Sequence, residues 1–337
     1  MTLPLRLALI GCGKQMQKNL LPFLQRGSRD YQPVVCVDPD AEQACYVQAL
    51  TGAHATASTI EDVDLAAIDA AIVAVPPEPS AEIAEQLLQH RIHCFVEKPA
   101  GPSTPSLRRL SEVAGKMPDV HLQVGFNFRY AAALRQLHEA TVSARESPCW
   151  LQIEFCSRHP SAPQWGVDTT VESWIRQNGV HAFDLAQWFI PSPVERVDGH
   201  SLPTSDPDRF LAVVGLHHAD GSHSMLRVGN QTQRFQVNAA VHASDGSVYA
   251  APSLESVVLS RDAGMPAGTQ LFGQKPLDHG WDRSGFGPEL EAFVATCLDR
   301  SSAQFPGITD ALTGSQLCDQ ALSELKPSSA SAATSVA

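Results

Sequence analysis

Lys98 is the residue whose type and position point most directly to chemistry. It stands in Glu97-Lys98-Pro99, directly after the apolar run H-C-F-V. If that run is a strand, the proline fixes the following turn and the ammonium is held at the strand end. A lysine there can donate hydrogen bonds to a bound hydroxyl or carbonyl group, or transfer a proton. Pairing with Glu97 is a weak alternative, because adjacent strand residues point to opposite faces.

A glycine turn near the start of the chain is the second candidate site. The apolar run L-A-L-I is broken by G-C-G, and a helix-like stretch follows. One glycine allows a tight turn, the next lets the backbone approach a pyrophosphate, and the helix amides can face the anion. The predicted dinucleotide contacts are therefore Gly11, Gly13, Lys14, Gln15 and Met16. Met16 replaces the third glycine of the usual pattern, and its flexible side chain can fill that packing position.

An ordinary turn between strand and helix is the alternative for this segment. The turn follows the first strand of a whole α/β half, which favours the binding site. Asp38 ends the second apolar run, V-V-C-V-D, where a carboxylate can accept hydrogen bonds from the adenosine ribose. Its charge would repel a 2′-phosphate, so NAD is the predicted cofactor, with NADP left open. Asp38 can also cap the helix that begins near Asp40.

Composition excludes several classes of protein. The 337 residues carry 24 Lys plus Arg and 36 Asp plus Glu, a net charge of −12, which argues against a nucleic-acid partner. The apolar runs are too short to span a membrane. The eight cysteines are scattered without a C-x-x-C pair, so neither a disulfide framework nor a metal site is predicted. A reducing cytoplasm is the expected location.

The first part of the chain must position these residues. Apolar runs (LRLALI, PVVCVD, AAIVAV, HCFVEK and VHLQVGF) alternate with helical stretches. Continuous apolar strands alternating with helices indicate a doubly wound parallel sheet, the Rossmann arrangement. Residues 1–125 are thus predicted to be a dinucleotide-binding domain.

The pattern of apolar runs changes after this domain. Strand candidates separated by A-D-G and S-D-G turns predict a large, open, mainly antiparallel sheet, and one helical segment, VESWIRQNGVHAFDLAQWFI, precedes most of them. Residues 126–325 are therefore predicted to be an α+β domain whose last two helices can pack back on the first. Residues 326–337 are small and polar and are predicted to be disordered. An open sheet face favours self-association as a homodimer or homotetramer.

Five short segments together resemble the Gfo/Idh/MocA family of nicotinamide-dependent oxidoreductases: IGCG, AVPP, HCFVEKP, VGFNFRY and NGVHAFDLAQWF. The resemblance implies a Rossmann domain, a sheet domain that often forms oligomer interfaces, and hydride transfer at a sugar or cyclitol carbon. It implies catalytic roles for Lys98 and His181, and cofactor contacts for Pro76, Glu97 and Lys98. The substrate contacts that we expect are Asn127, Arg129, Gln177, Asn178, His181 and Asp184.

One departure from the family pattern concerns proton transfer. The family often has an aspartate four residues before the histidine, and this chain has Gln177, followed by Asn178. A neutral amide cannot compensate the charge of an imidazolium. The expected function is hydride transfer between NAD and a carbinol or carbonyl carbon of a small polyhydroxylated substrate. The alternatives are an imine or enone reductase of a biosynthetic pathway and a non-catalytic nucleotide-binding relative.

Other chemistry-bearing residues have ordinary explanations. The three histidines around the A-D-G turn, His217, His218 and His223, are predicted to be solvated on a sheet face, without metal. Trp165 and Trp174 could line a cleft, although large aromatic residues are usually core. The segment HGWDRSGFG could cover the site or simply connect to a helix capped by Pro288.

Overall fold

The computed structural model describes residues 3–26, 28–144, 148–202, 204–260, 268–271, 283–300 and 305–325. The predicted disordered tail, 326–337, lies outside the described residues, as do Trp281 and Asp282 of the segment before the last two helices.

The first sheet has six parallel strands and confirms the predicted Rossmann arrangement. Its strands in chain order are β1 Leu5–Ile10, β2 Tyr31–Val37, β3 Ala55–Ala57, β4 Ala70–Val73, β5 His93–Val96 and β6 Leu122–Val124. They lie side by side in the order β3-β2-β1-β4-β5-β6. The strand order therefore reverses between β1 and β4, and ligands of such sheets bind at the carboxyl ends next to that reversal. The edge strand β3 has no apolar run that could have predicted it.

Helices cover both faces of this sheet. They are α1 Leu21–Leu24, α2 Ala41–Thr51, α3 Pro77–Gln89 and α4 Thr104–Gly115, with a wide π-helical turn, Met16–Leu20, leading into α1. All four residues of β4 are buried, as expected for a strand covered on both sides.

The second sheet has eight strands and is mainly antiparallel, as predicted. Its strands are β7 Trp150–Cys156, β8 Val194–Ser201, β9 Leu211–His218, β10 His223–Gly229, β11 Gln236–His242, β12 Val248–Ser253, β13 Ser256–Ser260 and β14 Gly268–Leu271. Their order is β14-β13-β12-β11-β7-β10-β9-β8, and β7 and β10 run parallel. The edge strands β8 and β14 were not predicted.

One face of this sheet packs on helices and the other is open. The remaining helices are α5 Ala132–Ala144, α6 Thr170–Trp174, α7 Val180–Phe189, α8 Phe286–Cys297 and α9 Ile308–Glu324, with a π-helical segment, Ile175–Gly179, joining α6 to α7. On the open face Trp150, Val213 and Met225 are 46%, 41% and 36% exposed. The helices in the described part of the chain are too short or too polar to span a membrane.

The last two helices return to the first domain. In α8, Phe293 packs edge-on against Phe95 of β5, with ring centroids 5.9 Å apart. In α9, Asp319 accepts a hydrogen bond of 2.6 Å from Thr104 at the start of α4. This return brings residues nearly 200 positions apart to the carboxyl edge of the first sheet.

Candidate active site

The glycine turn after β1 has the geometry that phosphate binding requires. Gly11 has φ +83°, and a Cβ there would lie 2.5 Å from the carbonyl oxygen of Ala74, so only glycine fits. A Cβ on Gly13 would touch only the Gln43 side chain, at 3.5 Å. The backbone at Gly13 is therefore open to an approaching ligand.

Met16 takes the packing role of the absent glycine. It is fully buried in the cluster under the first sheet, and the helix that starts with it has wide π turns. A larger side chain between strand and helix is thus accommodated by widening the helix. Lys14 is exposed and Gln15 half-buried beside it.

Asp38 ties the end of β2 to the glycine turn. Its carboxylate accepts hydrogen bonds from the amides of Cys12, at 2.7 Å, and Asp40, at 2.9 Å. The cap of α2 is Asp40, which accepts from the amides of Glu42 and Gln43, so Asp38 does not cap the helix itself. Carboxylate oxygens accept more than one hydrogen bond each, which leaves Asp38 able to accept from ribose hydroxyls.

Glu97 and Lys98 point away from each other, as expected for neighbours at a strand end. Glu97 accepts a 2.6 Å hydrogen bond from the Gln15 amide on the glycine-turn side. The ammonium of Lys98 donates instead to the main-chain carbonyl of Gln177, at 2.9 Å. Lys98 therefore lies between the Rossmann domain and the π-helical segment of the second domain. Pro76 lies in the loop between β4 and α3. It is exposed at the same edge of the sheet.

His181 is enclosed by aromatic rings. It is 4% exposed, and its ring lies 4.9 Å from Phe128, 5.5 Å from Phe155 and 6.0 Å from Phe126, between centroids. Its Nδ1 is buried without a hydrogen-bond partner among the described residues. Burial, assisted by the charge of Lys98, lowers the pKa of His181 well below its usual value. The imidazole is consequently neutral at neutral pH.

Desolvation also shifts the pKa values of the two charged residues after β5. It lowers the pKa of Lys98, while the carboxylates of Glu97 and Glu289 partly oppose that change. It raises the pKa of Glu97, against the opposing effects of Lys98 and Gln15. A lysine with a lowered pKa exchanges its proton closer to neutral pH, as proton-transfer catalysis requires.

Glu289 is the residue of this site that sequence reasoning missed. It is fully buried in the first turn of α8, and neither carboxyl oxygen has a hydrogen-bond partner in the described part of the chain. Phe293, one helical turn later, contacts Phe95, and Glu97 is two residues beyond Phe95 on the same strand face, so Glu289 faces Glu97. Burial, together with the charge of Glu97, raises the pKa of Glu289 well above its usual value.

A sequence signal for Glu289 did exist. It occupies the position four residues before Phe293 and directly before Leu290, which are both buried. An acidic residue on the apolar stripe of a helix is unusual enough to mark a functional candidate.

Gln177 and Asn178 hold the loop that follows β7. The Gln177 amide donates to the Gln164 side chain at 2.9 Å, and the Asn178 amide donates to the carbonyl of His159 at 2.7 Å. Trp165, on the same loop, is 41% exposed and lines a cavity with Lys98, whereas Trp174 is completely buried core. The sequence left both possibilities open for these two tryptophans.

Arg129 and Asp184 form a buried ion pair with each other. The guanidinium donates to both oxygens of Asp184, at 2.5–3.1 Å, and to Asp310 of α9 at 2.7 Å. Burial alone would lower the pKa of Arg129, but the two carboxylates outweigh it and raise the pKa. Arg129, Asp184 and Asp310 line one cavity, and Lys98 lines a different one. Contact with a substrate stays a prediction for both residues.

Asn127 anchors the start of α8. Its amide donates to the carbonyl of Ser284 at 2.7 Å, and it is 1% exposed. A Cβ on Gly285 would lie 1.9 Å from the Asn127 carbonyl oxygen, so the two segments are in close contact. Asn127 thereby positions the helix that carries Glu289, and a direct substrate contact remains a prediction.

One of the three histidines that were predicted to be solvated on the second sheet is buried instead. His218 is 4% exposed and is hydrogen-bonded to the Ser192 carbonyl and the Ser224 hydroxyl, because its side chain points to the helix-covered face. His217 and His223 are half-buried on the open side. Among the described residues no group of three or more His, Cys, Asp or Glu is placed to hold a metal.

Comparison with known proteins relates the first domain to a family of oxidoreductases. Residues 5–126 match a family model described as "Oxidoreductase family, NAD-binding Rossmann fold", the Gfo/Idh/MocA group. The first domain is therefore similar to the Gfo/Idh/MocA oxidoreductases. The resemblance seen in the sequence is thereby confirmed, and with it the NAD-binding Rossmann domain.

Individual relatives agree with this family. An inositol 2-dehydrogenase of Leifsonia xyli subsp. xyli is 30% identical over 162 residues, 48% of this chain and 47% of that protein, so the match spans about half of each. The crystal structure of a dehydrogenase from Chromobacterium violaceum has a TM-score of 0.85 at 24% identity and covers 96% of both chains. An Agrobacterium radiobacter oxidoreductase solved with NAD+, L-tartaric acid and magnesium has a TM-score of 0.79 at 14% identity, with 95% and 96% coverage. These structures share the fold.

Proposed function

We propose that the protein transfers hydride between NAD and a carbon bearing a hydroxyl or carbonyl group in a small polyhydroxylated molecule. The observation that carries this proposal is the lysine after β5, partly buried and with a lowered pKa, at the edge that the glycine turn also borders. The name of the Leifsonia relative, an inositol 2-dehydrogenase, supports a polyol or cyclitol as substrate.

The residues at the sheet edge fit the cofactor. Gly13 leaves its backbone open to a phosphate, Asp38 offers carboxylate oxygens to the ribose, and Lys98 lies beyond them at the end of β5. When bound, the nicotinamide supplies the hydride acceptor or donor, and the protein aligns the reacting carbon and manages the proton.

Lys98 is the better proton carrier of the two catalytic candidates. A protonated His181 would be a second buried cation beside Lys98, and Gln177 offers no carboxylate to compensate it. Lys98 instead has two carboxyl groups, Glu97 and Glu289, in its electrostatic environment. In the oxidation direction Lys98 takes the hydroxyl proton, and neutral His181 orients the hydroxyl by a hydrogen bond. In reduction the same lysine returns the proton.

Ligand titration and a substrate panel test the proposed function. We expect the purified protein to bind NADH more tightly than NADPH by fluorescence, and to oxidise polyols or cyclitols with NAD. Imine reduction with NADPH would favour the reductase alternative. NADH binding without turnover on any polyol, sugar or imine would favour the non-catalytic alternative and contradict the proposal.

Two glycine variants separate folding from cofactor binding. Gly13→Ala should leave the thermal midpoint of the free protein within about 2 °C, because the added methyl meets only a side chain at 3.5 Å. It should weaken NADH binding by about 10-fold or more, because the methyl occupies the space of the pyrophosphate. Gly11→Ala is the contrasting control and should destabilise the free protein itself. Unchanged NADH affinity in Gly13→Ala would place the cofactor elsewhere.

We also propose a cytoplasmic homo-oligomer, either a dimer or a tetramer, formed through the open sheet face. All eight cysteines are free thiols, which suits a reducing compartment. Exposed Trp150, Val213 and Met225 give the open face an apolar patch. Met225→Arg combined with Val213→Glu should reduce the mass measured by light scattering to that of a monomer, since it places charges inside the interface. A monomeric wild-type protein would refute this interface.

A further inference from the structure

A basic cavity lies at the carboxyl ends of β7 and β10, apart from the cavity at Lys98. Four arginines line it, Arg158, Arg209, Arg227 and Arg234. The other lining residues are polar and uncharged: Asn230, Gln231, Thr232, Gln233 and Gln236. Its volume is about 720 Å³, and no acidic side chain is among the lining residues that the structure describes.

The charge in this cavity is mostly uncompensated. Arg227 is paired with Glu154 of the neighbouring strand. Arg209 donates a hydrogen bond to the carbonyl of Asn230 at 3.2 Å. This bond orients the guanidinium group but does not neutralise its charge. Arg158 and Arg234 are exposed, and within the described ranges no carboxylate lies at ion-pair distance from them. In a chain with a net charge of −12, three arginines without a paired carboxylate in one concavity create a local positive potential that attracts anions.

The cavity is connected to the proposed substrate cleft through neighbouring residues. Arg158 is followed by His159, whose carbonyl accepts the 2.7 Å hydrogen bond from Asn178. Next to Arg234, the half-exposed ring of Phe235 packs on Phe155 and Phe128, with centroids 5.7 and 6.0 Å apart. Phe155 and Phe128 are the rings that enclose His181. One layer of aromatic side chains thus separates the arginines from the catalytic histidine.

We propose that the basic cavity binds a phosphate or diphosphate group of the substrate. This inference rests on the proposed function, because it specifies the polyhydroxylated substrate as a phosphorylated one. Guanidinium groups bind phosphate oxygens through two parallel hydrogen bonds, and the side-chain amides around them can donate to the remaining oxygens. Free polyols offer this cavity no charge to bind.

Binding of inorganic pyrophosphate tests the cavity directly. Calorimetry of the full-length protein should show binding that weakens as salt concentration rises. The double variant Arg158→Gln/Arg234→Gln should weaken it by about 10-fold or more, since each charge-assisted hydrogen bond contributes strongly. Both side chains are exposed, so the fold should persist. Arg108→Gln, which removes one exposed arginine charge from α4, is the matched control and should change nothing.

Equal pyrophosphate affinity in the wild type and the double variant would overturn the inference. A changed oligomer mass in the double variant with unchanged pyrophosphate affinity would also overturn it, because the arginines would then contact a second subunit.

Steady-state kinetics connect the cavity to the substrate. With NAD, the wild type should have a lower KM for glucose 6-phosphate than for glucose, and the double variant should lose that preference without a change in NADH affinity. Equal KM values of the wild type for glucose 6-phosphate and for glucose would refute this inference. The proposed function would remain unaffected. Arginine-dependent pyrophosphate binding without any NADH binding would refute the proposed function instead.

Discussion

Lys98→Met should lower kcat by about 10³-fold, within the range usually lost when a proton-transfer group is removed. The methionine side chain fills a similar volume but carries no proton. His181 cannot take over, because an imidazolium in its aromatic enclosure would lack a compensating carboxylate. The fold should be intact, since the lysine makes one side-chain hydrogen bond, to the carbonyl of Gln177.

The measurement is the pH dependence of kcat beside a matched control. In the wild type kcat for oxidation should rise with pH through the lowered pKa of Lys98, because only the neutral amine accepts a proton. The residual rate of the variant should be independent of pH over that range. Lys116→Met, at the exposed end of α4, should behave as wild type. Full activity in Lys98→Met would exclude lysine as the proton carrier.

Glu289→Gln should stabilise the protein at pH 8 by about 1–3 kcal/mol, because each unit by which folding raises a carboxyl pKa corresponds to about 1.4 kcal/mol. The folded-state pKa of Glu289 is raised, so folding favours its protonated form. That contribution is fully present below the unfolded pKa near 4.5 and is lost as pH rises through the folded pKa. The neutral glutamine does not undergo this loss, so the stabilisation should be large at pH 8 and small at pH 4.5.

Urea unfolding at the two pH values measures this difference. Glu291→Gln, two residues later on the same helix and exposed, is the control and should give no pH-dependent gain. The kinetics should change as well: removing a carboxylate near Lys98 lowers the lysine pKa further and moves the rise of kcat to lower pH. A Glu289→Gln protein that is equally stable relative to wild type at both pH values would show that this carboxyl does not titrate on unfolding.

The sequence alone determined the parallel sheet, the glycine turn and the orientation of Glu97 and Lys98. Each of these depends on residues close together in the chain: a continuous apolar run makes a covered strand, a glycine with positive φ ends it, and adjacent strand residues face opposite ways. The exchange of glycine for Met16 was also interpretable locally, because its role is to fill space next to one helix.

Only the tertiary structure decided which polar groups share an environment. Glu289 faces Glu97 across nearly 200 residues, and Arg129 is paired with Asp184 and Asp310 from two other elements. The basic cavity likewise combines the ends of three strands and their loops. The charge state of a side chain depends on burial and on neighbours brought together by folding. Sequence patterns therefore identified the lysine as a candidate, whereas its pKa depends on burial and on Glu289, which is distant in the sequence and close in space.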